Sequence, residues 1–206
     1  MTLVKSFEGR TYKEDIEQAK RGMQNLMYPI REEQNKLIQN HKPRWNPRLI
    51  LTLGNHENRI DRAIEYDRKL DGLISVNDLA YESYGWEVYP FLDVVVVENI
   101  VFSHYFTSGV MGRAVQSAQM LLNKKHMSCF AGHQQGRQIA YGRRADGKEM
   151  TAIICGSCYE HDEGYLGPQG NLHFRGLYLL HNCNDGSFDE CAVPLDYLKE
   201  KYNETT

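Results

Sequence analysis

Apolar positions first recur at helical spacing: Ile16, Ala19, Met23, Leu26, Met27 and Ile30 punctuate an otherwise charged stretch over residues 12–40. That is one face of an amphipathic helix, which Gly22 and Pro29 are expected to weaken or divide. "HKPRWNPR" reads as a proline-bearing loop. "LILTL" is short, wholly apolar and ends at Gly54, the pattern of a buried strand. "NRIDRAIEYDRKLDG" predicts a helix closed by Gly72. In residues 86–103, "VVVV" and "IVFS" flank Glu98 and Asn99, which suit a tight turn between two strands. "RAVQSAQMLLNKK" returns to helix. Beyond it the pattern becomes strand and turn: "MSCFAGH", "GRQIAYGRR", "MTAIICGS" and "FRGLYLLHN". Asp146-Gly147 and Asp185-Gly186 mark hairpins. The closing "KEKYNETT" is expected to fray.

These elements predict an α/β (α+β) chain forming one domain over residues 1–206. Hydrophobic residues make up 41% and charged residues 25%, ordinary for a water-soluble core. Net charge is -3, so nothing draws the whole chain to nucleic acid or acidic membranes, and polyanion binding would have to be local. The longest apolar runs are too short to span a bilayer and are broken by charge. "MTLVKSFEGR" lacks the apolar stretch of a signal peptide. Five cysteines, an odd number, read as reduced thiols in a cytoplasmic protein.

Three histidines share a setting in which an apolar run ends beside a small residue: Gly54-Asn55-His56-Glu57, Ser103-His104-Tyr105 and Gly132-His133-Gln134-Gln135. Strand ends feeding loops are where layered α/β proteins build sites. Asn oxygen and His nitrogen suit divalent ions such as Mn, Fe, Zn or Ni. Glu57 has a plainer role available, capping the helix that follows. "CGSC" at 155–158 is a Cys-x-x-Cys, but "YEHDEGYLGPQG" after it is not helical, so small apolar residues near a strand end is the better reading. His161, Asp162, Glu163 and His173 offer a second metal cluster or a solvated loop. Lys124, Lys125, Arg137, Arg143 and Arg144 offer phosphate contacts or a solvated basic surface.

The ordered set "GNHE", a later "SH", then "GH" and "IICGS" resembles the calcineurin-like metallophosphoesterases. The longer phrases "SFEGRTYKEDI", "GNHENRIDRAIEYDRKLDGLIS", "SHYFTSGVMGR", "HMSCFAGHQQGR" and "HDEGYLGPQGNLHFRG" resemble a phage and bacterial branch of that family. The resemblance implies a sandwich of two mostly β sheets flanked by helices, and hydrolysis of a phosphate mono- or diester by two metal ions that activate a water. It implies Asn55, His104 and His133 as ligands of one ion, Gln135 where most members place a further histidine ligand, and His56 as the catalytic histidine beside the ions, hydrogen-bonding the phosphate or protonating the leaving oxygen. It implies His161 in a loop at the mouth of the site, with Arg137 a candidate for substrate contact. The substrate class, small molecule or nucleic acid, stays open. A phage-encoded protein would act in the host cytoplasm.

The family also needs an Asp-x-His and a Gly-Asp, and no histidine here has an Asp two residues before it and no glycine is followed by Asp. The first strand–helix–strand of the fold is therefore expected to be missing. On this reading the chain is a fragment, one part of a split enzyme completed by another polypeptide, or a degenerate member kept for binding or assembly. Marginal stability alone, or self-association through exposed strand edges, is the structural expectation.

Overall fold

A computed structural model describes residues 11–164 and 167–203. The leader reading and "SFEGR" fall in 1–10, and the last three residues of "KEKYNETT" in 204–206, outside the described residues. The fold is mixed α+β. Among the described residues no helix is long and apolar enough to cross a membrane. The chain forms two compact units, Met1–Tyr89 and Pro90–Thr206.

In the first unit, α1 (Tyr12–Gln39) opens with a reciprocal cap: the Thr11 hydroxyl accepts the Glu14 amide, and the Glu14 carboxylate accepts the Thr11 amide at 2.7 Å. Pro29 sits inside α1 without dividing it, contrary to the expectation from sequence. A proline in a helix interior costs roughly 3 kcal/mol. Burial of Ile16, Met23 and Met27 along the same face offsets that local cost. Two short 3-10 turns, Val76–Leu79 and Tyr81–Tyr84, pack on α1, and the Tyr12 hydroxyl donates to Asp78 Oδ2 at 2.7 Å.

Strand β1 (Ile50–Thr52) pairs in parallel with β2 (Glu87–Tyr89) and is half-buried rather than buried, with Leu53 beyond it in the core. Helix α2 (Asn58–Tyr66) stops six residues before Gly72. Asp67 turns extended there and its carboxylate accepts the Lys69 amide at 3.1 Å, starting a separate 3-10 turn.

The second unit centres on a five-stranded sheet: β3 (Val95–Val97), β4 (Ile100–Ser103), β5 (Ser128–Ala131), β6 (Gln138–Arg143) and β7 (Glu149–Ile154), in the order β3-β4-β5-β7-β6. Glu98 and Asn99 both take the left-handed conformation, φ 50° and 59°, which gives the mirror-type turn that matches strand twist. The middle strands β4, β5 and β7 run parallel, and β3 and β6 flank them antiparallel. Helix α3 (Ala118–Lys125) begins at Ser117, later than predicted. The Val115 amide is tied to Phe106 carbonyl at 2.8 Å, which holds that stretch extended until Ser117 caps the helix.

Strand alternation explains the layering. Val101, Cys129, Ala152 and Ala140 stand side by side in register on one face, three of them small, and α3 packs there through Ala118, Leu121 and Leu122. The next row, Phe102, Phe130, Ile153 and Ile139, faces the other way and is bulky. After one helical turn, α4 (Gly167–Gly170), a hairpin of β8 (Gly176–Asn184) and β9 (Ser187–Pro194) covers that face with Tyr178, Leu180 and Phe188. Helix α5 (Leu195–Asn203) follows, so most of the stretch expected to fray is helical.

The two turns at one end of this unit lock together. Gly186 (φ +88°) donates its amide to Glu98 carbonyl at 2.7 Å, and a Cβ there would meet Asn99 carbonyl oxygen at 3.1 Å. Asp185 accepts from Lys148 and Asn99, and the two contacts hold its carboxyl below its ordinary value of 3.8. Ser128 donates to Gly186 carbonyl and accepts the Thr151 amide at 3.1 Å.

Ile153 is 0% exposed between the layers, so Ile153→Ala should lower urea-derived stability by about 2–5 kcal/mol, whereas Val96→Ala, at a 50% exposed position, should change it by less than about 0.5 kcal/mol. Asp185 has a depressed folded value, so its contribution is full above pH 3.8 and is lost as pH falls below it. Acid unfolding followed by circular dichroism should be steeper in the parent than in Asp185→Asn; equal slopes would contradict the lock.

Candidate functional site

The parallel strands β4, β5 and β7 end together, and each hands the chain to a loop at its C-terminal edge. The last register pair of β4 and β5 is Ser103 with Ala131. One residue later on β4 stands His104, and two residues later on β5 stands His133. Their rings meet, His104 Nε2 lying 3.2 Å from His133 Nδ1 with centroids 5.1 Å apart. Several contacts aim them. Ser103 donates to Asp93 carbonyl at 3.0 Å. His133 is left-handed, φ 65°. Gln134 donates its side chain to Val115 carbonyl at 2.6 Å and its amide to Gly132 carbonyl at 2.8 Å. Tyr105 sits 4.8 Å from the His133 ring and Phe91 5.5 Å from Tyr105, forming an aromatic wall on one side of the pair.

Gln135 follows in the same turn, half-buried, its carbonyl oxygen 3.2 Å from where a Cβ on Gly156 would stand. Gly156 is at φ +80°, and a Cβ there would also stand 3.1 Å from the Phe174 carbonyl oxygen, so no other residue fits between the two loops without displacement. Arg137 spreads its guanidinium over the Phe174 ring at 4.4 Å.

His161 stacks on Tyr159 with centroids 4.5 Å apart and pairs with Glu163 at 3.3 Å. Asp162 is taken by Arg175 at 2.8 Å. His173 bonds Ser157, so of the possible second cluster only His161 and Glu163 meet, while Asp162 and His173 have other partners. Among the described residues no three His, Cys, Asp or Glu side chains converge on a metal position. Burial pushes the Cys155 thiol up, against the activated thiolate a redox pair requires.

Sequence reasoning missed the pairing of Ser157 with His173. The buried Ser157 hydroxyl donates to His173 Nε2 at 2.8 Å, and His173 Nδ1 donates to Gly170 carbonyl at 2.9 Å. The carbonyl sets the tautomer that leaves Nε2 as an acceptor. The only signal in the chain was the small residue after the strand "TAIIC".

In the first unit, the loop after β1 carries Asn55, half-buried, and His56, exposed. Arg59 Nη2 lies 3.5 Å from His56 Nε2. Glu57 stands at the start of α2 but makes no side-chain cap, correcting the role expected of it. Its carboxylate instead reaches back to accept the Gly54 amide at 2.8 Å, and its charge lies near the Tyr81 phenol. Glu57 thus braces the loop bearing Asn55 and His56 against the rest of its own unit.

No family model matches the chain, and neither the curated proteins nor the solved structures contain a match to it.

The brace has a measurable signature. Burial, and then Glu57, push the Tyr81 phenol from 10.0 up to about 12. The fold favours the neutral phenol, so this contribution is full below pH 10.0 and is lost as pH rises toward about 12. Urea midpoints measured at rising alkaline pH should fall more steeply in the parent than in Tyr81→Phe; parallel slopes would remove Tyr81 from the brace.

Proposed function

We propose that this chain is a metal-dependent phosphoester hydrolase of the calcineurin-like metallophosphoesterase type, carrying the donors for one metal ion. The carrying observation is the convergence of His104 Nε2 and His133 Nδ1 at 3.2 Å on neighbouring parallel strand ends. Two imidazole nitrogens, each about 2.1 Å from one first-row ion and roughly 90–110° apart, are separated by about 3.0–3.4 Å. The pair therefore fits adjacent coordination positions on a single Mn, Fe, Zn or Ni ion. A direct N–H···N hydrogen bond accounts for the same distance without a metal, which makes metal binding the decisive test.

The α3–sheet–hairpin layering is compatible with the sandwich the resemblance implies, and the strand-end position of the pair fits the usual placement of sites in parallel sheets. The resemblance assigns Asn55 to the same ion and His56 as proton donor to the leaving oxygen. A bound divalent ion would supply charge for the phosphate oxygens and an acidified water. In the second unit Ser103 and Gln134 hold the His104 and His133 rings in place; in the first, Glu57 braces the Asn55–His56 loop.

A second reading has its own observation, the absence of any Asp-x-His or Gly-Asp from the 206 residues. On it the chain binds a metal and a phosphoester but turns over only when another polypeptide, or a second copy of itself, supplies donors for a second ion.

Elemental analysis after incubation with Mn and removal of free ion should give about one ion per chain. Loss of a direct ligand in His104→Ala or His133→Ala should weaken retention by more than the roughly 10–100-fold typical of an outer-shell change, with the melt preserved. Hydrolysis of p-nitrophenyl phosphate should fall in step. Retention of no Mn by the parent, or equal retention by both variants, would overturn the metal reading.

A further inference from the structure

The first unit contains a cleft of about 550 Å³, within the range of small-molecule sites. Its floor comes from both helices and the following turn: Ile16 and Ala19 on α1, Ile60 and Ala63 on α2, with Ile74 and Leu79 beneath. Two of the positions where the helices face the cleft are alanines, and α2 buries none of its residues outright. The apolar side of α2 is thus left lining a space rather than filling a core. His56 and Arg59 stand at one rim. Nearby carboxylates are largely committed: Glu57 to the Gly54 amide and Tyr81, Asp78 to Tyr12 and the Ser75 amide. Asp15 lines the cleft as well, and a carboxylate there disfavours an extended polyanion.

A space with an apolar floor, an imidazole–guanidinium rim and one acidic wall suits a ligand with one anionic end and a bulky apolar body. We propose that the cleft binds the organic group of a small phosphomonoester, with His56 and Arg59 holding its phosphate. The proposal rests on the hydrolase reading and narrows it: the substrate is a small amphiphilic monoester rather than a nucleic-acid strand. Arg59 offers paired donors to phosphate oxygens. His56 Nε2, 3.5 Å from Arg59 Nη2, reaches the same anion. The selectivity comes from the floor, where each additional buried ring carbon adds affinity that a short alkyl ester lacks.

The test uses the full chain and 1-naphthyl phosphate, whose own fluorescence reports binding without added metal. Saturable binding is expected, with ethyl phosphate competing at least about tenfold more weakly. Ala63→Trp and, on the other wall, Ala19→Trp fill the cleft and should each weaken naphthyl phosphate binding by about tenfold or more, with helical circular dichroism retained. Arg59→Gln should weaken both esters. Binding that is unchanged in two folded tryptophan variants overturns the proposal, as does equal affinity for the two esters. Turnover with Mn separates the two claims. Naphthyl phosphate that binds and is blocked by either tryptophan, but is never hydrolysed, sinks the hydrolase reading and keeps the cleft. Hydrolysis of both esters with the same KM keeps the hydrolase and sinks the cleft.

Discussion

The parallel pairing of β4 with β5 and of β5 with β7 is the constraint on which the second unit depends. Neighbouring strands lie about 4.8 Å apart, so residues leaving adjacent parallel strands at the same edge are forced into contact range. Register places Ser103 beside Ala131, and the histidines just past them have little choice but to meet. The same register sorts the side chains by size, small ones beneath α3 and large ones beneath the β8–β9 hairpin. A bulky residue at Cys129 or Ala152, both 0% exposed, would push α3 off the sheet and disturb the strand ends that aim the pair. Core packing and site geometry are therefore consequences of one pairing pattern.

Local chemistry made much of this legible from sequence. Glu98-Asn99, Asp146-Gly147 and Asp185-Gly186 each specify a turn through backbone conformations few other residues favour, and all three join paired strands. Helical periodicity located α1, α2 and α3. Their boundaries were less legible because tertiary contacts set them: the α1 face outweighs Pro29, Asp67 ends α2 before Gly72, and the tie between Val115 and Phe106 delays α3. The half-burial of "LILTL" was hidden too, since an apolar run reports what can be buried and not how much partner surface covers it.

For the candidate site, the positions of His104 and His133 at strand ends were readable, but their contact depended on which strands are neighbours, and that is a long-range fact. Glu57 shows the converse. Its place before a helix suggested a cap, while the structure turns its carboxylate back to Gly54 and Tyr81, a partner 24 residues away. Ser157 and His173 stand 16 positions apart in the sequence, and no spacing rule connects them. Their bond, with Arg175 reaching Glu160 carbonyl and Asp162, ties down the loop that leaves β7. That loop carries His161, stacked on Tyr159 and paired with Glu163.

The metal binding proposed for the histidine pair is tested directly by the imidazole signals of the eight histidines in nuclear magnetic resonance during addition of substoichiometric Mn. A paramagnetic ion held by His104 and His133 would broaden those two rings first, while His126 and His181 stay sharp. Uniform broadening of all the rings, or none until Mn is in large excess, would mean that the two nitrogens share a proton and not a metal.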